Sequence, residues 1–494
     1  MAKALPTPVG SRDDVRLFDL RRNWRALTER PAFHDPVIDG VRAIAILWVI
    51  SYHLVLFHLG SFTTEAIGLA TGRWTQWTSR GDMGVDLFFV ISGYLIGTIL
   101  FSEYRDSGTI QIKRFYVRRF LRLIPVYTVA LIVGLYFVHN IPREAVLMEF
   151  PPFMNANHIW ANFLYVNNFL PINRQYMGWC WSLAIEEQFY LILPGFILIV
   201  MRFGRPMRVL GSLMVLAGVI RWVVIDRHGF VPPFLDLPNM QSWVDRFTIE
   251  YQNLYTRYGA LLAGVIGAYL MVFHQPRLRQ FFSRTRLVDV LAVACIAIII
   301  PTGYFAMSSP LFNQVSVSAR MLYYSHHRDV FALCVMFLVL AATHSAGFVG
   351  QQLRHALSWK VMFPIAQISY SLYLVHEMFM LWLFPKTAQL FGPTLGAHAT
   401  MAVAAVIALA MSFAGATLLY LLVEQPSMRA RALPFVRRIA EGTPVLGNLV
   451  AGEQSRNVVR PSSLERQIHQ PLTLRVEFQS LAGAQHVGDL VVVD

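Results

Sequence analysis

Ten apolar runs, each long enough to cross a bilayer as a helix, punctuate the chain at roughly 41–60, 84–102, 119–138, 181–201, 207–226, 254–273, 287–306, 329–346, 361–384 and 399–423. The fourth is interrupted by the adjacent carboxylates Glu186 and Glu187. Lys and Arg test the count, because they concentrate on the cytoplasmic side of short loops. With the N-terminus inside, basic clusters fall at Arg12–Arg30, Arg105–Arg119, Arg202–Arg208, Arg277–Arg286, Arg354–Lys360 and Arg429–Arg438, and every second connection is poor in them. The pattern predicts an all-α polytopic membrane protein of about ten transmembrane helices with both termini cytoplasmic. A basic N-terminal segment, 1–38, precedes the membrane domain, 39–426, and a short cytoplasmic tail, 427–494, follows it. LTLRVEF and GDLVVVD in that tail have the composition of strands. The N-terminal segment lacks a short apolar core followed by a small-residue cleavage site, so the first span is expected to act as its own insertion signal.

Composition agrees with this pattern: 55% of the 494 residues are hydrophobic and 14% are charged. The net charge of +13 is spread in clusters between apolar runs, which topology explains, so nucleic acid is not expected as a partner. Cys180, Cys295 and Cys334 lie in or beside apolar runs without metal-ligand spacing and read as free thiols. No metal site, internal repeat or low-complexity run is evident.

The chemistry is concentrated in polar residues that the apolar runs carry. In DGVRAIAILWVISYH, Arg42 and His53 are eleven residues apart. On a helix they share nearly one face, about 16 Å apart along the axis. Arg119 and Arg122, three apart on another helix, join Arg42 near the inner mouth. Their plain reading is positive-inside charge; their functional reading is a guanidinium cluster for phosphates. His53, Ser92, Glu186 and Glu187 fall deeper, with Asp86 and Arg257 toward the outer mouth. Ionisable groups at such depth avoid lipid, so they are expected to face one another around a wet cavity. An intramembrane His is either a satisfied structural group or a general base oriented by a carboxylate. The longest outer connection, from about 139 to 180, is rich in aromatics and Asn, which suits a sugar and equally suits a membrane-interface belt.

The motifs DGVRAIAILWVISYH, GVDLFFVISGYLIG, FYVRRFLRLIPVY, WSLAIEEQFYLILP, RYGALLAGVIGA, ISYSLYLVH and LLVEQP occur in this order over residues 36–428. Together they closely resemble the acyltransferase-three family of integral-membrane O-acyltransferases. The resemblance implies transfer of an acyl group, usually acetyl, from acyl-CoA to a hydroxyl of a bacterial glycan or glycosylated metabolite. The acetyl-CoA donor is a substrate, and no tightly bound cofactor is implied. The family's essential Arg and His match Arg42 and His53; its paired arginines match Arg119 and Arg122; its Glu in the Trp-Ser-Leu motif matches Glu186, with Glu187 beside it; and its membrane Arg matches Arg257. His376 ends ISYSLYLVH, and Glu377 follows it where many relatives have Pro. A structural hydrogen bond is the expected role of His376.

Many relatives also carry a C-terminal hydrolase-like domain, for which the 427–494 tail is too short, so the membrane domain is expected to act alone or with polysaccharide-assembly partners. The expected setting is the bacterial cytoplasmic (inner) membrane. Catalytic roles fall to His53, Arg42 and Glu186, and substrate contacts to Arg119, Arg122, Asp86, Ser92, Glu187, Arg257 and His376. Direct transfer with His53 as base competes with a two-step route through an acylated group. A transporter or flippase for a glycan is the alternative class.

Overall fold

The computed structural model describes residues 17–441 apart from 33, 62–71, 73–74, 141–154, 231–239 and 305–313. The segments expected as strands in the tail, and the first part of the 139–180 connection, lie outside the described residues. Within them the chain is helical, with no strand.

Ten long helices occupy the ten apolar runs: α1 (Pro36–Ser61), α2 (Met83–Ser107), α3 (Ile112–Asn140), α4 (Trp181–Arg202), α5 (Pro206–His228), α6 (Leu254–Phe273), α7 (Thr285–Tyr304), α8 (Val317–His344), α9 (Met362–Leu395) and α10 (Ala397–Leu419). Nine of them are long and apolar enough to cross a membrane. The exception is α9, the longest, whose Ser369, Ser371, His376 and Glu377 lower its hydropathy and are all buried. The polarity that weakens α9 as a lipid-facing span suits a helix enclosed by others. Glu186 and Glu187 do not break α4, which runs unbroken from Trp181 to Arg202. The protein is a multi-pass membrane protein.

Packing sorts the helices into an inner and an outer set. In α2, α6 and α8, 67% of the apolar window is buried within the protein, against 22% in α7 and 28% in α5 and α10. The outer helices leave Val215, Val290 and Val406 bare, as lipid-facing surfaces do. α2 and α6 meet through glycine: a methyl group on Gly93 would lie 2.0 Å from the Leu261 carbonyl oxygen, and one on Gly264 2.1 Å from that of Val90. The backbones touch because neither glycine has a side chain. α1 begins where Asp35 accepts the Val37 amide at 3.0 Å and Pro36 takes the first helical position, so the cap and the proline set its start. α1 then packs along α9 on one side and α2 on the other, which brings the polar positions of α9 and α1 together. Cys180, Cys295 and Cys334 are free thiols.

Candidate active site

Two cavities lie end to end along α1. The inner one has a volume of about 570 Å³ and the outer one about 60 Å³, and Val85 and Tyr373 line both. These two side chains form a septum. The Tyr373 hydroxyl donates to the Trp179 carbonyl at 2.7 Å and lies 2.6 Å from Ser182 Oγ, which holds the ring in place.

The inner cavity draws on five helices, α9 through Ser369, Tyr370 and Tyr373 and four others whose spacing turns polar residues to one side. α4 contributes Ser182, Glu186 and Tyr190, four apart and therefore on one face; α2 contributes Val85, Phe88, Ser92 and Ile96; α3 contributes Arg119 and Arg122; and α1 contributes Asp39 and Arg42. Arg42 donates to Ser369 Oγ at 2.9 Å. Arg119 lies over the Tyr190 ring, 5.3 Å from its centroid. Ser92 and the Tyr190 hydroxyl are hydrogen-bonded, and the Tyr190 hydroxyl donates to Glu186 Oε2 at 3.2 Å. Apart from ring contacts, Arg119 and Arg122 make neither an ion pair nor a hydrogen bond among the described residues, so their guanidinium donors are available at the cavity wall. Glu187 is half-buried and does not line the cavity.

His53 lines the outer cavity with Glu377, Asp82, Tyr52, Trp179, Trp181, Trp243, Phe247 and Tyr251. Its Nε2 lies 2.8 Å from Glu377 Oε1. Its Nδ1 lies 3.1 Å from Nε2 of the fully buried His376, whose own Nδ1 meets the carbonyls of Tyr373 at 2.8 Å and Leu372 at 3.1 Å. Carbonyl oxygens only accept, so Nδ1 of His376 carries a proton. With His376 neutral, its Nε2 accepts, and Nδ1–H of His53 is the donor. Nε2 of His53 is then the nitrogen that faces the Glu377 carboxyl, and a proton taken up there is held between the two. Groups of α9 thus fix the ring of His53 and its tautomer. Ligand atoms from His53, His376 and Glu377 lie within 4.8 Å of one another, a spacing that could also hold a metal ion and that these hydrogen bonds already account for.

Asp86 and Arg257 line neither cavity. They belong to a buried cluster in which Asp86 pairs with Arg257 at 3.2 Å and with Arg328 at 2.5 Å, while Asp82 pairs with Arg328 at 2.5 Å and with Arg80 at 3.5 Å. Arg257 lies over the rings of Tyr251 and Trp181, at 4.8 and 5.4 Å from their centroids. Both rings line the outer cavity, so the cluster backs its aromatic wall.

The expectation of one shared cavity therefore divides into two sites. Arg42, Arg119, Arg122, Ser92 and Glu186 meet in the inner cavity, His53 meets His376 and Glu377 at the outer one, and Asp86 with Arg257 stands behind the wall. Glu377, Asp82, Arg328 and Tyr373 were not among the expected site residues. Glu377 had a signal, being a carboxylate inside an apolar run, the same property that singled out His53.

The Acyltransferase domain family model matches residues 35–421. The peptidoglycan O-acetyltransferase OatA of Listeria monocytogenes is 36% identical over 200 residues, covering 38% of this chain and 29% of that protein. The O-acetyltransferase OatA of Staphylococcus aureus is 29% identical over 345 residues, covering 69% of this chain and 50% of that protein. The chain spans half or less of the length of these relatives. No solved structure matches it. A match across most of the membrane helices, with the polar residues of α1, α3, α4 and α9 gathered around the two cavities, places this chain in the acyltransferase-three family of integral-membrane O-acyltransferases.

Proposed function

We propose that this protein is an O-acyltransferase of the bacterial cytoplasmic membrane, with ten spans and both termini in the cytoplasm. It moves an acyl group, in the simplest case acetyl, from cytoplasmic acyl-CoA to a hydroxyl of a saccharide. The observation that carries this reading is the pair of chemically different cavities meeting at one septum: guanidiniums and a long volume on one side, aromatic rings and a hydrogen-bonded imidazole on the other. A thioester donor with phosphates at one end and a reactive carbonyl at the other suits the first. A sugar ring suits the second, since aromatic faces pack against its C–H groups.

Phosphates at Arg119 and Arg122 leave the pantetheine arm to follow the face of Ser92, Glu186 and Phe88 toward Val85 and Tyr373. Arg42 sits on that path, and Glu187 lies behind the cavity wall. The acceptor hydroxyl enters beside His53. As its oxygen attacks the thioester carbonyl, Nε2 of His53 takes the hydroxyl proton and then delivers it to the departing thiolate. His376 keeps the imidazole oriented, and the carboxylate of Glu377 stabilises positive charge on it. Asp86 and Arg257 contribute through the aromatic wall that positions the sugar. Direct transfer is favoured over an acylated serine, because Ser92 is bonded to Tyr190 on the far side of the septum from His53.

Peptidoglycan is the first acceptor to examine, because the Listeria relative is a peptidoglycan O-acetyltransferase. Mass spectrometry of cell-wall and secreted glycans from cells lacking the gene, with and without the wild-type copy, tests the proposal. Loss of one O-acyl group on deletion, restored by the wild type, is expected. Unchanged acylation of every glycan fraction, together with accumulation of an unmodified glycan on one side of the membrane, would instead identify a carrier.

A further inference from the structure

The inner cavity is longer than it is charged: Arg42, Arg119 and Arg122 line it, and coenzyme A carries three phosphates, two in its diphosphate and one on its ribose. A cavity of about 570 Å³ has room for the pantetheine arm and leaves the nucleotide at the mouth. The residues at that mouth therefore decide how much of the donor's charge is met.

The chain beyond α10 returns to this point. After the helix Gln425–Arg429, the turn Ala430–Ala432 and the helix Pro434–Glu441 pack along α3, the helix that carries Arg118, Arg119 and Arg122. Arg431 sits in that turn. Its Nε and Nη2 are buried without a hydrogen-bond partner, and the charges acting on it are the guanidiniums of Arg122, Arg119 and Arg118. Among the described residues none of these four arginines pairs with a carboxylate. Glu103 acts on Arg118, and Glu187 and Glu186 on Arg119, from beyond ion-pair distance. Four like charges gathered beside buried, unsatisfied donors repel one another and are stable together only when an anion or water supplies the missing acceptors. Guanidinium forks match phosphate oxygens better than water does.

We propose that Arg431, supplied by the segment after the last membrane helix, completes with Arg118, Arg119 and Arg122 a polyphosphate site at the mouth of the inner cavity, and that it binds the nucleotide part of the donor. This rests on the reading of coenzyme A as the carrier of the acyl group. It adds a residue that lies outside the matched family region, 35–421, so the contact belongs to this chain's own C-terminal segment. Arg431 does not touch the reacting atoms; it holds the far end of the donor.

The test is equilibrium binding of coenzyme A and of pantetheine, which lacks the phosphates, to the full-length protein in detergent. Wild type, Arg431→Gln and Arg431→Lys are compared, with thermal unfolding of each to verify folding. Removal of a charge-assisted pair is expected to weaken coenzyme A binding roughly tenfold or more in Arg431→Gln. The Lys variant should fall between, and pantetheine should bind all three alike. Unchanged coenzyme A affinity in Arg431→Gln, or equal weakening for both ligands, overturns the inference while leaving the donor reading intact. A wild-type protein that binds pantetheine and coenzyme A with equal affinity also overturns it. If the wild type binds neither, the donor reading fails and the inference with it.

Discussion

In the proposed mechanism His53 gains its reactivity from what holds it. A neutral imidazole free to rotate would present either nitrogen to the acceptor, but the Tyr373 and Leu372 carbonyls set the tautomer of His376 and, through it, that of His53. Glu377→Gln keeps the side-chain volume and removes the charge. It should lower kcat by roughly 10²-fold or more, with the KM for the donor unchanged, because the lost stabilisation exists only while charge develops on the imidazole. Steady-state kinetics with purified variant checks this, and wild-type kcat would reduce Glu377 to a structural partner. Asp82 invites a different experiment. Burial alone would raise its carboxyl, but the guanidiniums of Arg80 and Arg328 outweigh that and hold it below the ordinary aspartate range. A depressed folded value means the stabilisation is complete above the unfolded value of about 3.9, and is lost as pH falls through the lower folded value. Melting of wild type and Asp82→Asn across pH should therefore show a constant gap from neutral down to about pH 4, closing below it. Sequence singled out His53 and His376 but not their connection, because the two are more than three hundred residues apart and only the docking of α1 on α9 joins them.

At the scale of elements, the helices were the legible part. Apolar run length located the ten long helices of the described residues, nine of them long and apolar enough to cross a membrane, and the adjacent glutamates of α4 did not interrupt it, because Glu186 turns to a cavity and Glu187 lies half-buried. What run length does not carry is which helix faces which. α9 is the helix least suited to lipid, and burial of its polar face against α1 explains how it is accommodated. The α2–α6 contact has a sequence signal only in hindsight: Gly93 and Gly264 are unremarkable within Gly-rich runs until their backbones are seen to touch. Gly264→Leu should force these helices apart at a cost of about 3 kcal/mol or more, since the atoms it meets belong to the α2 backbone and do not rotate away. Denaturation of the solubilised protein measures it. A variant as stable as wild type would show that the contact is not tight.

For the whole molecule, the decisive feature is that one membrane domain keeps two compartments apart with two side chains. Depth counted along each helix placed His53, Ser92 and Glu186 at neighbouring levels, and the structure sets the septum between them, because counting gives height and not azimuth. In the proposed mechanism the septum has a function of its own: it keeps water of the outer cavity away from the thioester until an acceptor is present. Tyr373→Ala should join the cavities and raise acceptor-independent hydrolysis of the donor, whereas Tyr373→Phe, which keeps the ring, should not. Thiol release without glycan distinguishes the two, and equal hydrolysis in both would remove the septum from the mechanism.

In the proposed mechanism His53 is the group that receives the acceptor proton. The direct measurement is acyl transfer from labelled acetyl-CoA to peptidoglycan fragments by purified wild type and His53→Ala, with coenzyme A binding measured on the same samples. Loss of transfer by roughly 10²-fold or more, with donor binding retained, is the predicted result. Transfer at the wild-type rate by His53→Ala would contradict it.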